Sequence, residues 1–198
     1  MKQFQEKTFS IPELVGMSAG SVAEHVKLYS GYVKNANLVG AKLGEMMSDP
    51  EKNMYAMSEV GRRFSFEYNG MRNHEVYFAS LSGGATSLAD DSPLKKMIEE
   101  TWGSFDAWMT MFKMIAMTRG TGWAMLWYDK KDDRLLFSWV DEQHLGQLQD
   151  CALILALDMW EHSFVADYAP SGKKNYVEDF FKYVNWSVVE ENFENAKK

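Results

Sequence analysis

The sequence predicts an α+β fold, in which an N-terminal hairpin of two long helices precedes a C-terminal α/β lobe with a small three-stranded antiparallel sheet. Two long segments carry apolar residues at intervals of three and four, which is typical of helices. A stretch rich in glycine, serine and aspartate then interrupts this pattern. Beyond it, short aromatic and β-branched runs alternate with further helical segments, which favours the α+β class.

The two long helices are predicted over residues 18–45 and 52–80. In the first, Val22 and Val26 begin a series of apolar residues that repeats at helical spacing. Ser18 precedes this series, where its hydroxyl can accept a hydrogen bond from the first turn of the helix. Both segments are long enough to pair as an antiparallel hairpin.

A break in the pattern follows the second helix, in the segment SLSGGATSLADDSP. Its glycines, serines and aspartates favour turns over helix or strand. We therefore place the internal boundary here, with an N-terminal helical-hairpin domain over residues 1–88 and a C-terminal α+β domain over residues 89–198.

The C-terminal half contains helices and strands in alternation. The segment DKKDD separates two of the strand candidates, and such a polar interval between apolar runs indicates a β-hairpin. The predicted elements are helices over residues 94–101 and 105–118, strands over Gly122–Tyr128, Arg134–Val140 and Leu153–Asp158, and helices over residues 176–183 and from Trp186 onward.

Composition restricts the classes of function. The chain has 198 residues and a formal net charge of −7, which argues against nucleic acid as a main partner. No segment approaches the roughly 18 uninterrupted apolar residues that a membrane span needs. The N-terminus lacks the pattern of a signal or transit peptide, so a cytoplasmic location is expected. The single cysteine, Cys151, excludes an internal disulfide.

The strongest chemical signal is the segment DMWEH, residues 158–162, which follows a predicted strand. Asp158 and His162 are separated by three residues across the turn at the end of that strand, so their side chains can converge on one ion. A carboxylate combined with imidazoles suits iron and manganese. Trp160, between them, would form an apolar wall beside the ion.

The same segment resembles the signature of iron/manganese superoxide dismutases. Further similarities to that family occur in the same order along nearly the whole chain. They are Tyr32-Val33-Lys34-Asn35-Ala36-Asn37, Asn73-His74 with Tyr77-Phe78, Gly83-Gly84, Gly103-Ser104-Phe105, Gly122-Trp123, Asp167-Tyr168, Tyr176 and Val184-Asn185-Trp186.

The resemblance implies a dismutase that binds one iron or manganese ion per chain, acts on superoxide and forms a homodimer. It also implies a role for individual residues. His74, Asp158 and His162 would be metal ligands, Tyr32 the gateway residue of the substrate channel, Trp123 and Trp160 walls of the metal pocket, and Glu161 a contact across the dimer interface.

The fourth ligand, on the first helix, is ambiguous. The family has a histidine eight residues before the gateway tyrosine, and counting back from Tyr32 reaches Glu24. Counting forward from Ser18-Ala19, which resembles the family's helix start, reaches His25 instead. Both cannot occupy the same position, because adjacent helical residues differ by about 100° of rotation. His25 is taken as the ligand, with Glu24 as its rival.

The outer-sphere group, which the family supplies as a glutamine, also has two candidates. Gly70 stands at one of the two positions from which that glutamine can come, so the donor is expected after the sheet hairpin. There the chain offers Glu142 and Gln143. A neutral amide would donate a hydrogen bond and tune the reduction potential, whereas an ionised carboxylate could not donate.

Other departures leave the activity open. Val165 replaces the family's second tyrosine after the last ligand, and Leu28 or Tyr29 replaces its channel histidine. A weakened or inactive metal-binding protein of the same fold is therefore one alternative. A different redox enzyme with extra carboxylates from Glu24 or Glu142 is another. Glu75, beside His74, is expected to face solvent.

Overall fold

A computed structural model describes residues 2–198. In this range the chain forms six α-helices and one sheet of three strands, as the α+β prediction requires. The elements are α1 (Ala19–Met46), α2 (Pro50–Leu81), α3 (Pro93–Trp102), α4 (Phe105–Ala116), β1 (Gly122–Asp129), β2 (Arg134–Asp141), β3 (Cys151–Asp158), α5 (Lys173–Tyr183) and α6 (Trp186–Lys197).

Helices α1 and α2 form the predicted hairpin. The Ser18 side chain accepts a hydrogen bond from the backbone N–H of Ser21, which caps α1 as expected. Asp49 caps α2 in the same way, and Pro50 occupies the first turn, where its missing N–H costs nothing. The buried residues of α2 all lie between Glu67 and Leu81, so its C-terminal half faces the core.

The sheet is antiparallel throughout, in the order β2-β1-β3. Its central strand β1 is buried over almost its whole length, which explains the continuous apolar run in its sequence. The pairing sets Trp123 opposite Asp158, so the start of β1 and the end of β3 meet. This corner of the sheet lies against the C-terminal half of α2.

Aromatic side chains fill much of the core between the sheet and the helices. Trp108 and Phe112 of α4 are fully buried and contact Phe181 of α5 through their ring edges. No helix within residues 2–198 has both the length and the apolar character to cross a bilayer. The predicted fold class is confirmed, while the division at 88/89 stays a prediction.

Candidate metal centre

Four side chains from four parts of the fold converge at one point. His25 comes from α1, His74 from α2, Asp158 from the last residue of β3, and His162 from the short 3-10 turn that follows. One potential ligand atom from each lies within 4.8 Å of all the others. The structure thus brings together the three residues and the helix-α1 histidine that the sequence singles out.

The imidazoles are arranged around one carboxylate oxygen. The Nε2 atoms of His25, His162 and His74 lie 3.0, 3.3 and 3.5 Å from Asp158 Oδ2. Donors that share one first-row metal ion at about 2.1 Å lie about 3–4 Å apart. The spacing of these atoms therefore fits a single ion.

Hydrogen bonds outside the cluster orient its members. His74 donates from Nδ1 to the backbone oxygen of Gly70 at 2.6 Å, which leaves Nε2 unprotonated and directed into the cluster. That Nε2 atom is buried and has no hydrogen-bond partner among residues 2–198. Asp158 accepts the backbone N–H of Trp160 on Oδ1 at 2.9 Å, so Oδ2 remains for the centre. A lone pair buried without a donor indicates a site built for a cation.

The surroundings of His25, His74 and Asp158 hold these three side chains in the charge states that metal ligands need. Burial lowers the pKa of His74 to about 3 and also lowers the pKa of His25, so both imidazoles are neutral at neutral pH. Burial alone would raise the pKa of Asp158, but His162 and hydrogen bonds from both His162 and His25 hold it well below its ordinary value. Neutral imidazoles with an ionised carboxylate are the donor set that iron and manganese accept.

The structure separates the two candidates on α1. His25 is only 4% exposed and lies in the cluster. Glu24 is exposed and forms an ion pair with Lys27 on the surface. Helix α1 is unbroken between His25 and Tyr32, and seven residues at about 100° each fall only about 20° short of two full turns. His25 and Tyr32 therefore share one face, whereas Glu24 is rotated away from it.

A hydrogen-bonded chain runs along one side of the cluster. Trp123 donates from Nε1 to Gln143 Oε1 at 2.8 Å, and Gln143 donates from Nε2 to the Tyr32 hydroxyl at 2.9 Å. Because the indole N–H can only donate, it fixes which end of the Gln143 amide faces Tyr32. Gln143 is completely buried. Of the two outer-sphere candidates, the structure therefore brings Gln143 to the centre.

Glu142 lies at the surface instead. Its backbone has a φ of 51°, in the left-handed region, and its side chain is about half exposed. This turn directs consecutive side chains to opposite sides, so Gln143 points inward. Glu142 contacts a residue of the site only through its backbone oxygen, which accepts a hydrogen bond from Trp160 Nε1 at 3.1 Å.

Gly70 makes room for Tyr32. A Cβ atom at position 70 would lie 2.4 Å from Tyr32 Cδ1, closer than any tolerated contact. The tyrosine ring therefore packs directly on the backbone of α2. The same residue supplies the carbonyl oxygen that orients His74. One glycine thus sets the position of the tyrosine and of the imidazole.

The two tryptophans predicted as walls contact the imidazoles. Trp123 meets His74 edge-on with ring centroids 5.0 Å apart, and Trp160 stacks on His162 at 5.6 Å. Glu161, between Asp158 and His162 in sequence, is exposed on the outside of the turn. Its predicted dimer contact stays a prediction.

The expectation that Glu75 faces solvent is wrong. Glu75 is only 5% exposed, because the N-terminal segment covers this side of α2. Its carboxylate pairs with Lys7 at 3.0 Å and Arg72 at 2.7 Å, and it accepts a hydrogen bond from Tyr29. Arg72, three residues earlier on the helix, was the available sequence signal for a buried acid.

A second group of residues holds Gln143 and could not be identified from the sequence. The Asn73 side chain donates to the backbone oxygen of Gln143 at 3.0 Å, and Gln147 donates to the same oxygen at 3.0 Å. Asn73 precedes His74 on α2, so the loop that carries Gln143 is attached to a helix that carries a candidate ligand. Only the folded loop reveals this attachment.

Comparison with known proteins relates this chain to superoxide dismutases that contain iron or manganese. Residues 90–192 match the family described as "Iron/manganese superoxide dismutases, C-terminal domain". The chain is 33% identical to "Superoxide dismutase [Fe]" of Aquifex pyrophilus over 93% of its own length and 88% of that protein. It is 33% identical to "Superoxide dismutase [Fe]" of Cupriavidus metallidurans, covering 93% and 92%, and 33% identical to "Superoxide dismutase [Mn]" of Mycolicibacterium fortuitum, covering 87% and 82%.

The geometry predicts different effects for the two neighbouring residues on α1. His25→Ala should weaken metal binding at least about tenfold, because even an outer-shell partner of a metal ligand typically contributes that much. Glu24→Ala, its matched control, should leave binding unchanged, because Glu24 is exposed and pairs with Lys27. Metal content after equilibration with a competing chelator would measure both. Loss of metal in the Glu24 variant alone would reverse the assignment.

Proposed function

This chain belongs to the iron/manganese superoxide dismutase family, and from that membership we propose that it converts two superoxide anions and two protons into dioxygen and hydrogen peroxide. The proposal includes one iron or manganese ion per chain, held by His25, His74, Asp158 and His162. When bound, the ion would supply the one-electron exchange, taking an electron from one superoxide and giving it to another. The relatives named above include both iron and manganese enzymes, and either metal suits the donor set.

The observation that carries this proposal is the juxtaposition of the four-residue cluster with the Trp123–Gln143–Tyr32 chain. The cluster offers three imidazole nitrogens and one carboxylate oxygen, a donor set for a redox ion. The hydrogen-bonded residues beside it offer the Tyr32 phenol, which can hold and transfer a proton, and the Gln143 amide, which orients that phenol. Dismutation needs both, because reduction of superoxide to peroxide consumes two protons.

Tyr32 is suited to hold a proton beside the centre. Burial is the main cause that raises its pKa, and the negative charge of Asp158 adds to it, so the hydroxyl is protonated at neutral pH. Since Gln143 donates to the Tyr32 oxygen, the phenolic proton remains available to another acceptor. We assign Tyr32 the role of proton donor and Gln143 the role of orienting it.

The walls of the site limit what can reach it. Trp123 and Gln143 are fully buried, and the Trp160 ring stacks on the ring of the partly exposed His162. Closely packed, mostly apolar residues around the metal-binding cluster leave room for a small diatomic anion more readily than for a larger metabolite. This favours superoxide over an organic substrate for the same donor set.

We also propose that the chain works as a homodimer in the cytoplasm. Glu161 is exposed next to His162, where it is free to reach His162 of the partner subunit. A carboxylate hydrogen-bonded to a ligating imidazole would raise its basicity and fix its orientation.

One observation favours the alternative of a weakened or inactive metal-binding protein. With His25 in the cluster, the residue four positions later is Tyr29, which is completely buried and hydrogen-bonded to Lys7 and Glu75. Val165 replaces the second tyrosine of the family pattern and is exposed. The residues expected to relay protons across the dimer are thus absent from these two positions, which leaves Tyr32 and Gln143.

A direct assay tests the proposed reaction. The chain loaded with iron or manganese should consume superoxide in proportion to bound metal and release one peroxide for every two superoxides. Stopped-flow superoxide decay with parallel peroxide measurement would show this. Full metal occupancy without superoxide consumption would reject the dismutase and select the inactive alternative.

The outer-sphere assignment makes a second prediction. Gln143→Ala should lower activity per bound metal by at least about tenfold, because it removes the amide that orients Tyr32. Glu142→Ala, at the neighbouring exposed position, should leave that activity nearly unchanged. Superoxide decay rates normalised to metal content would compare the two. An equal or larger loss in the Glu142 variant would contradict the assignment.

A further inference from the structure

An open pocket leads from the surface to Tyr32. It has a volume of about 350 Å³, and Trp160 forms another part of its wall. The Tyr32 ring lies 5.1 Å from the ring of His74, so Tyr32 stands between the pocket and the four-residue cluster. The lining residues that carry charge are Lys27, Arg63 and Glu67.

Small anions approach this chain against its overall charge of −7, so local cations at the pocket matter for their entry. Lys27 contributes little, because its side chain is 70% exposed and already pairs with the exposed Glu24. Arg63 is the remaining cation of the lining.

Arg63 is held in a fixed position. Its Nε donates to Glu67 Oε1 at 2.9 Å, and its guanidinium carbon lies 3.6 Å from the centre of the Phe66 ring. The Phe66 ring in turn lies 5.9 Å from the Tyr32 ring. A planar guanidinium bound through Nε and stacked on an aromatic face keeps its two outer nitrogens free to bind an anion.

Glu67 places a negative charge beside Arg63 in the pocket wall. Its side chain is only 7% exposed, and Arg63 is its cationic partner. After burial and the charge of Asp158, Glu67 further raises the pKa of Tyr32, while Arg63 lowers it. Both charges therefore act electrostatically at the inner end of the pocket, with opposite signs.

We infer that Arg63 and Glu67 form an opposed pair that sets the affinity of the pocket for small anions, with Arg63 attracting them and Glu67 limiting the attraction. This inference rests on the proposed function, in which superoxide reaches the metal past Tyr32. It predicts that the two members of one ion pair have opposite effects when neutralised. A purely structural pair would give losses of the same sign, since either substitution breaks the same contact.

The test uses azide, a small anion, added to the iron-loaded protein, with binding followed by the change in visible absorption. Arg63→Gln should weaken azide binding roughly three- to tenfold, and Glu67→Gln should strengthen it by a similar factor. Arg63→Lys, which keeps the charge, should stay within about twofold of the natural chain. The affinity should also fall less steeply with added salt in the Arg63→Gln variant.

Arg62→Gln is the matched control. Arg62 is the preceding residue of α2, forms an ion pair with Glu59 on the same helix and lies outside the pocket lining. Its neutralisation changes the net charge equally, so an effect of net charge alone would appear in both variants. Metal content and thermal unfolding of each variant would verify that the site is intact.

The possible results separate the inference from the function on which it rests. Shifts of the same sign for Arg63→Gln and Glu67→Gln, or an Arg63 effect no larger than that of Arg62, would overturn the inference while leaving the metal site in place. Absence of azide binding by the natural iron-loaded chain would overturn the inference, while the superoxide-decay assay would decide the proposed reaction separately. Opposite shifts in a chain without dismutase activity would support the anion site and reject only the proposed reaction.

Discussion

The organisation of this protein depends on one buried carboxylate. Asp158 is completely buried at the end of the central sheet's outer strand β3, and three imidazoles from separate elements direct nitrogen atoms at one of its oxygens. An ionised group in an apolar interior is costly unless it is compensated. Hydrogen bonds from His25 and His162 provide that compensation here, and under the proposed function a cation held among the same atoms would take their place. The long helical hairpin, the sheet and the turn after β3 each supply at least one side chain to this cluster.

The residues around the cluster are likewise held in place by specific hydrogen bonds. Two polar groups near the centre are each oriented by a partner that can act in only one way: the indole of Trp123 only donates to Gln143, and the carbonyl oxygen of Gly70 only accepts from His74. These one-way partners determine the orientation of Gln143 and the tautomer of His74. Under the proposed function, catalysis depends on the four-residue metal-binding cluster and on the Tyr32 phenol beside it, and backbone and core residues keep both in place.

Much of this arrangement could be predicted from the sequence, because helical periodicity and strand composition are local signals. The bounds of α1, α2 and the three strands follow from them. The rotation of His25 relative to Tyr32 was also available, since an unbroken helix brings positions seven apart onto one face. The eight-residue spacing of the family pattern pointed to Glu24 instead and hid this relation. The burial of Glu75 depends on the N-terminal segment crossing α2, and the inward turn of Gln143 depends on a left-handed residue at Glu142. Such effects arise only once distant segments have packed.

The most direct test of the central claim is to locate the metal. Crystals of the metal-loaded protein, with anomalous diffraction measured at the iron and manganese absorption edges, would show where the ion lies. We expect one strong anomalous peak per chain, bound by the Nε2 atoms of His25, His74 and His162 and by Asp158 Oδ2. A peak at any other position, or a loaded protein without a peak among these four side chains, would contradict the account.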